Sequence, residues 1–290
     1  MIRSGLGVWG WLVATSLGIG APAPVARGHD GPDPVAHWVA GPRAVQEGRW
    51  KARLGPDAMI QGDPQLVSDA LGVSLSLDGR DDRLVVADSI ERAAQTGLLP
   101  KRFLTISAWV AVNAPLEYGG IVSAFQDNGG FEKGFVLGYD EQVFTFGLST
   151  TGANQNDSDG DGAMTYLKGK TRYEPGRLYH VVATFDGVET RLYVNSQLDA
   201  ATTDQHGDIL HIDRGSFVLG GYKDADEDFP MRGRIREVTT CAPQRNGSGI
   251  NSNTTPNSPG STRSTSPKKN PNCAGRSLRI CNSSPQPASW

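Results

Sequence analysis

YEPGRLYHVVATFDGVETRLYVNSQLDA, Tyr173–Ala200, is the stretch that decides the fold class. RLYHVVATFDG (Arg177–Gly187) is dense in β-branched and aromatic residues that alternate in character, the pattern of a half-buried strand. Asp186-Gly187 supplies a turn, and ETRLYVNSQL (Glu189–Leu198) returns as a second strand. Asn195-Ser196 then offers another reversal at residues that accept a left-handed backbone, although Ser stands where Gly would be easier. A hairpin this explicit needs more strands beside it to bury its apolar face.

Those strands lie on both sides of it. VSLSLDG (Val73–Gly79), DRLVVA (Asp82–Ala87), FLTISAWVAV (Phe103–Val112) and GGIVSAF (Gly119–Phe125) come before. GFVLGYD (Gly134–Asp140) and VFTFGLS (Val143–Ser149) pair across a tight turn at Glu141-Gln142. SFVLGGY (Ser216–Tyr222) and RGRIREV (Arg232–Val238) close the set. In FLTISAWVAV, Trp109 and Ala108 alternate with Ser107 and Val110, which marks one face for a sheet-to-sheet core. DSIERAAQTGLL (Asp88–Leu99) is the one helical candidate. Many short strands separated by Gly, Asn and Asp predict an all-β antiparallel sandwich or barrel.

Around this body the composition changes twice. Residues 1–26 read as an export signal: Arg3, the uncharged run GLGVWGWLVATSLGIGA (Gly5–Ala21), then small residues at Ala21 and Ala23. Residues 27–36 read as a Pro/Gly linker, and 37–238 as the domain. From Thr239 to Trp290 the chain is rich in Ser, Asn, Pro and Gly and is expected to be disordered. Residues 241–290 hold six of the 28 Lys/Arg and none of the 31 Asp/Glu, and Cys241, Cys273 and Cys281 are all there. A displaced reading frame from Thr239 is one explanation for so sharp a break. With a net charge of -3 overall, the chain makes no electrostatic case for nucleic acid. No stable membrane span is expected after signal cleavage, and the protein is expected to be exported: periplasmic, cell-surface or secreted.

LSLDG (Leu75–Gly79), FLTISAWV (Phe103–Val110), the Tyr173–Ala200 hairpin, FVLGGY (Phe217–Tyr222) and GRIREV (Gly233–Val238) together resemble the laminin G-like, concanavalin A-like jelly rolls. The resemblance spans about 200 residues and implies a jelly-roll sandwich that binds carbohydrate or an extracellular protein. HWVAGPRAVQEGRWKARLGPDA (His37–Ala58) and QDNGGFEKGFVLGYDEQVFTFGLST (Gln126–Thr150) also look like the jelly rolls found ahead of calcineurin-like metallophosphoesterase domains in exported bacterial proteins. The D-x-H and G-N-H-D/E strings of such an enzyme do not occur in this sequence. One alternative reading is therefore an accessory domain of a truncated phosphoesterase; a jelly-roll glycoside hydrolase is another.

Candidate site residues follow from chemistry. NQNDSDGDGAM (Asn154–Met164) spaces Asp157, Asp159 and Asp161 as D-x-D-x-D-G, which suits Ca²⁺, but Lys168 stands where a calcium loop of the helix-loop-helix type needs Glu. Asp127 and Asn128, with Asp224, Asp226 and Asp228, are expected at a ligand-binding loop rim. Tyr118, Phe131, Tyr139, Tyr166 and Tyr222 lie near predicted loops or strand ends, where sugar-stacking rings would sit. His180, flanked by core residues, reads as structural. Glu132 and Glu141 raise the hydrolase question, but the E-x-D-x-x-E strand of jelly-roll glucanases is absent, so no catalytic residue is assigned and no cofactor beyond Ca²⁺ is expected.

Overall fold

The structure, a computed structural model, describes residues 33–242 apart from 71, 212–214 and 225. The run at 1–26 expected to be an export signal, most of the expected linker and the residues beyond 242 lie outside the described residues.

In chain order the strands are β1 (Pro34–Val39), β2 (Val45–Gln46), β3 (Arg49–Trp50), β4 (Ala52–Leu54), β5 (Ala58–Gln61) and β6 (Gln65–Asp69). β7 (Gly72–Asp78) and β8 (Arg83–Ala87) precede a short helix α1 (Ile90–Gln95). Next come β9 (Leu104–Val112), β10 (Gly119–Asp127), β11 (Glu132–Asp140), β12 (Val143–Leu148) and β13 (Thr165–Arg172). β14 (Tyr179–Phe185), β15 (Thr190–Val194) and β16 (Gln197–Thr202) form the meander read from Tyr173–Ala200. β17 (Phe217–Leu219), β18 (Gly221–Lys223), β19 (Asp228–Pro230) and β20 (Arg232–Cys241) end the fold.

Two large antiparallel sheets result. In the first the order is β16-β15-β14-β9-β20-β1-β4; β20 is long enough to pair with β9 on one side and with β7 and then β1 on the other. The second runs β13-β12-β11-β10-β17-β8-β5-β3-β2. The core between them is made by alternation. Ile106, Ala108 and Val110 of β9 register against Ala183, Val181 and Tyr179 of β14, and all are buried. Phe135, Leu137 and Tyr139 of β11 and Phe144, Phe146 and Leu148 of β12 meet them from the second sheet. Each such side chain contributes about 1.5–3 kcal/mol on burial.

Boundaries move outward relative to the sequence reading. Pro34–Ala36, assigned to the linker, are the first half of β1. At the other end β20 continues three residues past Val238: Thr239, Thr240 and Cys241 pair with His37, Ala36 and Pro34 on one side and with Ser107, Ile106 and Thr105 on the other. A strand between two neighbours has its backbone hydrogen bonds satisfied whatever its side chains say, so composition alone placed the break too early. The helix is only one and a half turns, opened by Ser89, whose hydroxyl accepts from Arg92 N at 3.1 Å.

Candidate functional site

The second sheet has two different faces, and the difference is written into its strands. In β11 and β12 the inward residues are large and apolar, whereas the outward ones are Gly134, Val136, Gly138, Thr145 and Gly147. Small outward residues leave a trough. A Cβ on Gly147 would sit 2.8 Å from Val136 Cγ1 and 2.9 Å from Tyr166 Cε1, so the glycine is what lets the Tyr166 ring lie against the strand.

The β18–β19 hairpin covers one side of this trough. Its strands pair Tyr222 with Phe229 in register. Ser123 Oγ donates to Gly221 O at 3.0 Å, and a Cβ on Gly120 would meet that same carbonyl at 2.3 Å, so a glycine is required where the hairpin crosses β10. Phe125, Tyr222 and Phe229 then stack in series, with centroids 4.4 and 5.4 Å apart. These rings, with Val136, Met164 and Tyr166, form a small second apolar cluster outside the main core.

Between hairpin and sheet lies a cavity of about 510 Å³. Tyr118, Phe125, Tyr166 and Tyr222 supply its rings; Asp127, Glu132, Asp140, Glu227 and Lys168 supply its charges. Tyr118 is at the exposed rim and adopts a left-handed backbone (φ 59°). Asp127 and Glu132 are cross-strand partners at the β10–β11 turn, and their carboxyls share a hydrogen bond. Burial, reinforced by Asp127 and Asp157, pushes the Glu132 carboxyl up to about 7. Burial, with Glu227 and Asp224 nearby, raises Asp127 as well. Burial also raises the Tyr166 and Tyr222 phenols, so both hydroxyls stay protonated. Tyr222 Oη donates to Glu227 Oε2 at 2.6 Å and to Asp224 Oδ2 at 3.1 Å. Lys168 pairs with Asp140.

The predicted rim residues divide. Asp127 lines the cavity. Asp224 is buried and ties the hairpin down: it accepts from Asp127 N at 2.9 Å, Glu227 N at 2.7 Å and Asp226 N at 3.1 Å. Asn128, oriented to suit its neighbours, donates to Asp127 O at 2.7 Å and to Asp226 Oδ1 at 3.0 Å. Asp228 is instead held by Arg83 at 2.7 Å and Lys223 at 3.1 Å. Of the predicted rings, Tyr118, Tyr166 and Tyr222 reach the cavity, Tyr139 points into the core, and Phe131 lies under the Lys133 ammonium at 5.3 Å.

The Asp157/Asp159/Asp161 loop folds onto the β10–β11 turn. Asp157 Oδ2 accepts from Glu132 N at 2.7 Å, and Asp159 accepts from Asp161 N at 3.1 Å. The positive charge among these carboxylates is Lys133, 97 % buried, 3.0 Å from Asp159 and 3.9 Å from Asp157. Among the described residues the three acidic groups that come within 4.8 Å of one another are Asp63, Asp81 and Asp82, at the turn entering β8. His180 is a satisfied strand residue: its Nε2 is 2.8 Å from Ser107 Oγ, it stacks on Trp109 at 4.8 Å, and burial lowers its pKa. Glu141 occupies the β11–β12 turn with φ 51°.

Sequence reasoning passed over Phe125 and Asp140, met Glu227 only within the acidic run Lys223–Pro230, and met Glu132 only as half of a missing motif. The available signal was the outward glycine and threonine row of β11–β12, which marks a trough.

A family model described as the concanavalin A-like lectin/glucanases superfamily matches residues 86–242. Among solved structures, the chain is similar to domain 4 of AbnA, a GH43 extracellular arabinanase from Geobacillus stearothermophilus, in complex with arabinotriose. There the identity is 15%, the TM-score 0.51, and the match covers 73% of this chain and 93% of that one. A Trypanosoma rangeli sialidase mutant displaying trans-sialidase activity aligns at 18% identity and TM-score 0.47 over 74% of this chain, which spans 31% of that one. The botulinum neurotoxin serotype C1 binding domain aligns at 15% identity and TM-score 0.48, over 73% of this chain and 50% of that one. No curated protein matches the chain. At these identities the structural likenesses are likenesses of fold.

Proposed function

The chain belongs to the concanavalin A-like lectin/glucanases superfamily, and from that premise we propose that it is a non-catalytic carbohydrate-binding module whose site is the cavity between β10–β13 and the β18–β19 hairpin. The observation that carries this reading is the mixture of lining groups: Tyr118 and Tyr166 rings beside Asp127, Glu132, Glu227 and Lys168. Rings take the apolar face of a sugar, and the carboxylates and ammonium take its hydroxyls. The volume, about 510 Å³, lies within the range of small-molecule sites. The arabinanase domain solved with arabinotriose supports a saccharide by analogy of fold.

A binding role is favoured over hydrolysis by the carboxyl geometry. Glycoside hydrolysis separates its two carboxyls by about 5–5.5 Å or about 6.5–9.5 Å, leaving room for the sugar or a water. Asp127 and Glu132 are direct cross-strand neighbours, the first raising the second's carboxyl pKa, and are not a pair held apart across a sugar. The leader-like run at residues 1–26 supports an exported location, where polysaccharide ligands are met. A glycan array followed by calorimetry tests the proposal. The native protein is expected to bind one or more oligosaccharides, and Tyr166→Ala to weaken that binding about tenfold. Binding to no glycan, or unchanged affinity in Tyr166→Ala, would overturn it.

A further inference from the structure

We infer that the saccharide this cavity accommodates carries a protonated amino group: the ligand is an amino sugar. The inference rests on the glycan-binding reading above and narrows it.

The first observation is uncompensated charge in a closed space. Four carboxyl groups line the cavity, those of Asp127, Glu132, Asp140 and Glu227, against one ammonium, that of Lys168. Lys168 is already paired with Asp140. Among the described residues no Lys or Arg makes an ion pair with Asp127, Glu132 or Glu227; the Glu227 carboxylate is met instead by the Tyr222 hydroxyl at 2.6 Å. Lys133, adjacent to Glu132 in sequence, faces the other side of the strand and is held by Asp159 and Asp157. Asp224 stands directly behind the lining groups and adds negative charge.

The second observation is the wall. Tyr166 lies flat against Gly147, Tyr118 stands at the mouth, and the Phe125–Tyr222 stack closes one side. Aromatic faces attract an ammonium as well as a sugar ring, and they exclude the water that would otherwise screen the carboxylates. The raised Glu132 and Asp127 carboxyls are the consequence: burial, and then each other, oppose their ionisation. A ligand cation is the partner that the protein itself does not provide. A neutral oligosaccharide would leave that repulsion in place, and an acidic one would add to it.

Three trisaccharides with one β-1,4 backbone separate the possibilities: fully deacetylated chitotriose, N-acetylated chitotriose and cellotriose. They differ only at the C2 substituent, and calorimetry at pH 7 in 0.15 M salt, where long-range attraction is screened, compares them. The amine is expected to bind at least about tenfold more tightly than either neutral sugar, the increment of a charge-assisted hydrogen bond. Glu132→Gln and, independently, Asp127→Asn are expected to erase most of that preference, with far-ultraviolet circular dichroism unchanged. Equal or tighter binding of a neutral trisaccharide would overturn the amine assignment and leave the glycan site standing. Trilysine binding with no trisaccharide binding would overturn the amine-sugar assignment, as would binding of none of these probes; the glycan-binding reading falls with it only where the array also shows no bound glycan.

Discussion

Glu132→Gln is the substitution that most sharply exposes how the cavity is built. In the native fold the carboxyl titrates at about 7 against an ordinary value of 4.5, because the cavity buries it beside Asp127 and Asp157. The sign follows directly. The folded state holds this proton more tightly than the unfolded chain, so stability falls as pH rises from 4.5 to about 7 and is level above that. At full strength the difference between 4.5 and about 7 is worth about 3 kcal/mol. Solvent screening of a side chain that is only partly buried reduces it to about 1–2 kcal/mol. Gln mimics the protonated acid and can donate to Asp127. At pH 8 the variant is therefore expected to be more stable than the native protein by about 1–2 kcal/mol, or about 2–6 °C in melting temperature for a domain of this size. At pH 5, half a unit above the ordinary value of 4.5, only about a quarter of that difference should remain. Thermal melts followed by circular dichroism at both pH values provide the comparison. An equal gain at pH 5 and pH 8 would refute the reasoning, as would a loss at pH 8.

Other consequences can be checked with the same protein. Ser196, left-handed at φ 68° in the β15–β16 turn, should yield about 0.5–1 kcal/mol of stability on Ser196→Gly, read as a shift in the urea midpoint. Gly147→Ala should push the Tyr166 ring off the strand, lowering glycan affinity several-fold while costing about 1 kcal/mol or less in a urea melt; unchanged affinity would detach Tyr166 from the site. Millimolar Ca²⁺ should leave the melting temperature unmoved, since Lys133 already neutralises Asp157 and Asp159; a concentration-dependent rise would show that the loop exchanges its lysine for the metal.

Much of this fold could be read from the sequence because its strands are locally explicit. The Tyr173–Ala200 hairpin and the Glu141-Gln142 turn appear where period-two alternation and turn chemistry put them, whereas Trp109, read with Ala108 as core-facing, stacks on His180 on the other face and Val110 joins Ala108 in the core. The ends were less legible. Thr239–Cys241 look like the start of a polar tail, but pairing on both sides with β1 and β9 makes them strand, and that pairing joins residues more than 130 positions apart. The site was legible in its parts and not in its assembly. Asp127 and Asp224 were visible as rim acids, yet what joins them is a hydrogen bond across 97 residues. The D-x-D-x-D-G spacing reads as a cation loop, and nothing local announces that Lys133, 26 positions before Asp159, stands among those carboxylates. Glu132 was passed over for want of a same-strand motif, whereas its partner lies on the neighbouring strand, where register brings the two together.

On this reading saccharide binds in the trough outside β10–β13. Amide chemical-shift mapping of the isotope-labelled protein during titration with the tightest oligosaccharide from the array tests it most directly. The perturbed amides are expected to cluster at Tyr118–Gly119, Asp127–Glu132, Thr145, Tyr166–Lys168 and Tyr222–Lys223. Perturbations centred on the opposite sheet, around Trp109 and His180, would contradict it.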